Sequence, residues 1–209
     1  LGDVYKRQPI AVMSGRNAHT PAVFLGAVYA GCCYAPMDGT MPVHRLNSIL
    51  NTLDTDLMIV QRAFYDKART LEFSGEILIA EDLLEGCEDA ALLADCRARA
   101  RELDPLYIIF TSGSTGTPKG VQITAGNLAA FHAGVKPWFA RLPEGGAFLN
   151  EISYSFDVSV CALYEALSRG MTLWTADRQT LESPQALFQL LREARPDAWV
   201  STPSLAECC

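Results

Sequence analysis

The sequence predicts an α/β fold of mostly parallel sheets flanked by helices, on three observations. Short apolar runs alternate with longer amphipathic stretches, the pattern of repeated βαβ units. Nearly half of the 209 residues are hydrophobic and only 20% are charged, which is core-forming and excludes disorder, collagen and coiled coil. The length suits one domain or part of a larger one, because single cores stop growing near about 250 to 300 residues.

Taken in order, strands are expected at 10–13, 33–36, 57–60, 76–80, 106–110, 147–150, 171–174 and 198–201. Helices are expected at 20–30, 43–53, 88–101, 125–140, 157–168 and 185–194. From Thr20 to Met37 no residue is charged. Gly26, Gly31 and Pro36 interrupt that run, so a helix followed by a buried strand is expected in place of a membrane span. The opening segment 1–8, LGDVYKRQ, begins on Leu1 and has no periodicity. It is set aside as a scar, leaving 9–209 as a partial domain. Near the other end, Thr202 reads as an N-cap and Pro203 as the first residue of a helix about two turns before Cys209, which suggests a fragment.

Charge and cysteine content narrow the function. A formal charge of −7 lacks the basic footprint that a phosphate backbone requires, so nucleic acid is not expected as a partner. Seven cysteines, with no Cys-x-x-Cys pair, and three histidines indicate neither a disulfide framework nor a zinc site. Reduced thiols in a cytoplasmic protein are expected, with Cys32, Cys33, Cys208 and Cys209 as plain thiols. His19, His44 and His132 have no partner at nucleophile or metal spacing and are expected at the surface or at helix ends. Asp38 and Arg45 are expected to fix a loop and a helix start.

The chemistry is concentrated in Tyr107 to Gly120, YIIFTSGSTGTPKG. A hydrophobic strand runs into a loop of hydroxyls and glycines: Thr111, Ser112, Gly113, Ser114, Thr115 and Gly116. Glycines allow close backbone approach, while hydroxyls and N–H groups can surround phosphate oxygens. Lys119 adds a mobile positive charge. Lys119 stands between Pro118 and Gly120, unlike the Lys of a Walker A loop, so the common P-loop is excluded. Gly-Ser-Thr-Gly also departs from the Gly-x-Ser-x-Gly of serine hydrolases, and no base is apparent.

TSGSTGTPKG resembles the signature loop of the adenylate-forming (AMP-binding) superfamily, which includes acyl-CoA synthetases, peptide-synthetase adenylation domains and D-alanine carrier-protein ligases. Phe24 to Asp38, FLGAVYAGCCYAPMD, resembles that family's helix, Ala-Gly turn, strand and Pro-x-Asp element. Ser155 to Ser159, SFDVS, resembles the Phe-Asp-x-Ser element of its amino-acid-activating members. The resemblance covers about residues 9 to 209 and implies the N-terminal part of the family's large domain, with ATP as nucleotide and Mg2+ as cofactor. It implies that residues 111–116 and Lys119 bind ATP phosphates and that Asp157 accepts the substrate ammonium. A helix N-cap is the alternative reading of Asp157, whose flanks Phe156 and Val158 suggest an apolar setting where a carboxylate needs a partner.

Gly120 to Leu128, Phe148 to Leu173 and Trp199 to Cys209 resemble the D-alanine carrier-protein ligase branch most. Thr124 stands where peptide-synthetase domains carry His. The implied partners are D-alanine and a phosphopantetheinylated D-alanyl carrier protein, and the implied pathway is D-alanylation of teichoic acid. A peptide-synthetase adenylation domain, another acyl-activating ligase and a non-catalytic nucleotide-binding module are the alternatives. By the same resemblance the family's adenine and ribose contacts and its catalytic Lys are expected beyond Cys209, so no catalytic residue is assigned within the chain and the 209 residues alone are expected to be inactive.

Overall fold

The structure is a computed structural model and describes residues 8–87, 89–112, 117–202 and 205. The segment 1–7, the loop residues Gly113 to Gly116, the expected helix start at Pro203 and the pair Cys208 and Cys209 lie outside the described residues. The chain divides into two compact units, residues 1–15 with 19–129 and residues 16–18 with 130–209.

The first unit is built on β1 (Pro9–Ser14), α1 (His19–Tyr29), β2 (Cys33–Asp38), α2 (Val43–Leu53), β3 (Leu57–Val60), α3 (Tyr65–Ala68), β4 (Glu76–Ile79), α4 (Ala80–Leu83), α5 (Ala90–Arg99), β5 (Pro105–Thr111) and β6 (Lys119–Thr124). Its strands order as β4-β3-β1-β2-β5-β6. The first five run parallel and β6 returns antiparallel to β5. Period-two alternation sends Cys33, Ala35 and Met37 of β2 to one face. There they join Ala11 and Met13 of β1 and Leu46, Ile49, Leu50 and Leu53 of α2 in one core. Those four α2 residues recur at helical spacing, and α2 ends where Asp54 turns left-handed (φ 52°) and donates its N–H to the Leu50 carbonyl. Tyr34, alternate to that core, stacks on Phe24 of α1 at 4.2 Å and lies 5.7 Å from the Tyr107 ring of β5.

Through α6 (Ala125–Phe139) the chain passes to the second unit, which contains β7 (Ala147–Asn150), α7 (Val158–Ser168), β8 (Thr172–Thr175), α8 (Arg178–Glu182), α9 (Pro184–Ala194) and β9 (Ala198–Val200). Three parallel strands order as β8-β7-β9. Phe148 of β7 packs with Ala162 and Ala166 of α7 and with Met171.

Among the described residues every expected strand and helix forms, within two residues at each end. The parallel strands belong to two sheets. β6 and the short helices α3, α4 and α8 are additional to the expected elements. The run from Thr20 to Met37 divides into α1 and β2, and no helix among the described residues is long and apolar enough to cross a membrane.

Candidate functional site

The Ser/Thr/Gly loop sits at the tip of a β-hairpin. Thr111, the last residue of β5, pairs with Lys119, the first of β6, and Phe110 pairs with Gly120. Tyr107, Ile108 and Ile109 are buried and hold β5 in the sheet, while Thr111, Ser112, Thr117 and Lys119 are exposed. The strand is thus fixed at its base and presents polar groups at its carboxyl end. A helix N-terminus is what a P-loop uses to hold phosphate; here a strand follows the loop, which removes that architecture on topology as well as on sequence. Lys119 is less mobile than its loop sequence suggests, since its backbone is held in register opposite Thr111 and only the side chain is free to reach. It forms no ion pair among the described residues. Gly120 is required by close approach: a Cβ there would lie 2.9 Å from Ile108 Cγ2 and 3.2 Å from Phe110 Cζ.

Asp157 belongs to the second unit, at the entry to α7. Its own φ and ψ, −60° and −31°, are already helical, and its side chain makes no capping hydrogen bond. The N-cap role weighed from the sequence is therefore not taken. The apolar setting expected around it is also absent: Asp157 is exposed, and its neighbours Phe156 and Val158 are themselves 61% and 45% exposed. Flanking apolar residues bury an acid only when they face the core, and here Ser159 faces it, its hydroxyl donating to the Phe156 carbonyl at 2.7 Å. The Asp157 carboxylate is left open to solvent and to a ligand.

The loop that ends in Asp157 is tied down at the carboxyl edge of the sheet. Glu151 directly follows β7 and is 6% exposed. Its Oε1 accepts the Ser201 hydroxyl at 2.8 Å and the Thr202 N–H at 3.3 Å, both just past β9. Its backbone carbonyl accepts Arg16 Nη1 at 2.6 Å. Tyr154, buried, places its hydroxyl 3.3 Å from Thr175 Oγ1 at the end of β8. Burial pushes the Tyr154 phenol up, partly offset by hydrogen bonds with Thr175 and Asn150. Glu151 and Arg16 belong to no motif, and the one local signal at Glu151 is an acid immediately after an apolar strand.

His132 also departs from expectation. It lies within α6, and its Nδ1 is 2.7 Å from Oε1 of Glu165, a residue of α7 that is 1% exposed. The two are 33 residues apart, so no local spacing signals the pair. Asp38 meets expectation, its carboxylate accepting both the N–H and the hydroxyl of Thr40. Cys32 and Cys33 are buried free thiols. No group of three His, Cys, Asp or Glu among the described residues could hold a metal ion.

The chain is an α/β protein in which β5 leads into the Ser/Thr/Gly segment in the first unit and α7 opens on an exposed carboxylate, Asp157, in the second. Residues 2–209 match the family model described as "AMP-binding enzyme", and the chain belongs to that family. Among curated relatives it is 36% identical over 204 residues to the D-alanine--D-alanyl carrier protein ligase of Bacillus licheniformis, covering 96% of this chain and 39% of the relative. It is 35% identical over 206 residues to that of Listeria monocytogenes, covering 98% and 40%. The chain thus spans about 40% of the length of these relatives. Among solved structures, a nonribosomal peptide synthetase bound to α-methyl-L-serine-AMP superposes with a TM-score of 0.83 at 23% identity, over 99% of this chain and 22% of that one. The Vibrio cholerae adenylation domain AlmE, in complex with glycyl-adenosine-5'-phosphate, gives 0.79 at 20% identity, over 96% and 41%. At these identities the structures establish the fold.

Proposed function

We propose that this chain is part of an ATP-dependent, AMP-forming ligase that activates D-alanine to D-alanyl-AMP and passes the D-alanyl group to the phosphopantetheine thiol of a D-alanyl carrier protein. The observation that carries the reading is the polar loop at the tip of the β5–β6 hairpin with Lys119 opposite Thr111. The similarity to the two named ligases supports the choice of amino acid and carrier. The thioester then supplies D-alanylation of teichoic acid. The reaction takes place in the cytoplasm, where ATP is available.

In the first half-reaction a carboxylate oxygen attacks the α-phosphorus of ATP and pyrophosphate leaves; in the second the thiol attacks the acyl carbon and AMP leaves. Two anions meet in the first step, so donors and positive charge around the phosphates lower its barrier. Thr111, Ser112 and the loop residues Gly113, Ser114, Thr115 and Gly116 supply those donors, and Lys119 supplies the charge. Asp157 accepts the D-alanine ammonium, for which its open carboxylate is suited. Mg2+, when bound, would offset negative charge on the phosphates, and no group of three His, Cys, Asp or Glu among the described residues could hold it.

The test is pyrophosphate exchange into ATP by the full-length polypeptide that carries this chain, comparing D-alanine with L-alanine, glycine and a short fatty acid. D-alanine-dependent exchange that falls in Asp157→Ala and in Lys119→Ala is expected. Exchange with a different acid would retain the adenylation chemistry and overturn the substrate.

A further inference from the structure

The three strands of the second unit run parallel, so the chain leaves all of them at one edge of the sheet. At that edge lie Glu151 after β7, Thr175 at the end of β8, and Ser201 and Thr202 after β9. The loop 151–157 begins at Glu151 and ends at Asp157. Asp157 itself is exposed and uncapped, so nothing in its own side chain fixes where it stands.

What fixes it is the beginning and the middle of the loop. The Glu151 carboxylate is almost wholly buried and holds two donors from the segment after β9 with a single oxygen, the Ser201 hydroxyl at 2.8 Å and the Thr202 N–H at 3.3 Å. Arg16 Nη1 donates to the Glu151 backbone carbonyl at 2.6 Å. Further along, the Ser153 and Ser155 hydroxyls lie 3.1 Å apart and the Phe156 N–H donates to the Ser153 carbonyl at 2.9 Å. Burying a carboxylate costs several kcal/mol before its partners repay it, and an apolar residue would serve packing alone at least as well. A carboxylate at this point therefore specifies geometry: it gives the segment after β9 one place to stand relative to the loop that carries Asp157.

We propose that Glu151 is a positioning residue of the amino-acid site, fixing the 151–157 loop to residues 201–202 and so setting affinity for the amino acid without touching it. This rests on the reading of Asp157 as the ammonium acceptor.

The experiment uses the full-length polypeptide and compares Glu151→Ala, Glu151→Gln and Ser201→Ala by pyrophosphate exchange, varying D-alanine at saturating ATP and ATP at saturating D-alanine. Loss of hydrogen bonds to an ionised group predicts a rise of about tenfold in the D-alanine KM for Glu151→Ala, with the ATP KM within about twofold. Glu151→Gln keeps an oxygen acceptor without the charge and falls between the two. Ser201→Ala, which deletes one donor and leaves the carboxylate in place, raises the same KM by about two- to threefold. Amide hydrogen exchange at Thr202 speeds up in Glu151→Ala. An unchanged D-alanine KM in Glu151→Ala, or equal rises in both KM values with no recovery in Glu151→Gln, overturns the proposal while leaving the enzyme's activity established. Exchange by the unsubstituted enzyme with no amino acid overturns the functional reading, and this proposal with it.

Discussion

Replacing Asp157 and Asp177 by alanine tests the proposed ammonium acceptor against a capping aspartate of the same unit. Asp177 precedes α8 in an extended conformation, and its Oδ1 accepts the Thr180 N–H at 2.8 Å. Loss of such a cap costs about 1 kcal/mol. Asp157 stands at the same position relative to α7, is exposed and makes no capping bond, so Asp157→Ala should cost less than about 0.5 kcal/mol. Its effect should fall on the amino acid, where an ammonium–carboxylate contact of about 1.5 to 3 kcal/mol corresponds to about a 10- to 150-fold rise in KM. Trp138, Trp174 and Trp199, the three tryptophans of the chain, all lie in the second unit. Their fluorescence during urea unfolding therefore reports on the unit that contains both aspartates. The Thr180 N–H is also the first cause holding the Asp177 carboxyl below the usual range, with desolvation opposing it. A depressed folded pKa means that this stabilisation is present above about pH 4, the unfolded value, and is lost as the pH falls through the folded one. The difference between Asp177→Ala and the parent should accordingly shrink below about pH 4. If Asp157→Ala destabilises the second unit as much as Asp177→Ala does, the aspartate is a structural cap and the ammonium role loses its physical basis.

Thiol reactivity should follow burial. Burial pushes Cys33 and Cys161 up to about 11, with the Cys32 thiol and the Glu165 carboxylate respectively adding to it, so iodoacetamide at pH 8 should label exposed Cys87 well before either, as read by peptide mass spectrometry. Glu165→Gln removes the charge beside Cys161 and should speed its alkylation. Gly120→Ala forces a Cβ to within 2.9 Å of the β-branched Ile108 side chain, and a cost of about 1 to 3 kcal/mol to the hairpin should appear as weaker ATP binding by calorimetry. Leu46→Ala empties the centre of the first unit's core, where Leu46 is fully buried, and should lower the free energy of unfolding by about 2 to 5 kcal/mol with no change in Trp fluorescence of the native second unit.

Most of the framework was legible because its elements carry their signals locally. β1, β2 and β3 are continuous apolar runs, and α2 and α9 repeat apolar residues at helical spacing. β6 was not legible, because KGVQIT is an edge strand whose first four residues are exposed, and what makes it a strand is pairing with β5. The helices α3, α4 and α8 span only four or five residues, too few for periodicity to register. Assignment of the strands to two sheets is a matter of partner choice, which similar apolar runs do not encode one by one. At the candidate site, residue type and order alone single out the Ser/Thr/Gly segment and Asp157, whose roles are proposals. Glu151 and His132 were missed because their partners are 50 and 33 residues away.

The positions of the two candidate elements follow from strand direction. β5 is parallel to β2 and ends in Thr111, and β7 is parallel to its neighbours and ends just before Glu151. In open parallel sheets, loops at the carboxyl ends are free to vary while the strands beneath hold them, which is where ligands bind. The two loops differ in how they meet that need. The segment between β5 and β6 carries hydroxyls and Lys119, a set of donors suited to phosphate oxygens, and of these Thr111, Ser112, Thr117 and Lys119 are exposed. The 151–157 loop places one acid, Glu151, in the interior with its hydrogen bonds filled and another, Asp157, in solvent with none from capping. A buried, satisfied carboxylate gives rigidity, whereas an exposed, unsatisfied one gives affinity for a cation. Moving the acid from 157 to 156 should leave the urea unfolding midpoint of the second unit unchanged and raise the D-alanine KM of the full-length polypeptide as Asp157→Ala does, because the Glu151 anchor remains while the proposed ligand group is displaced.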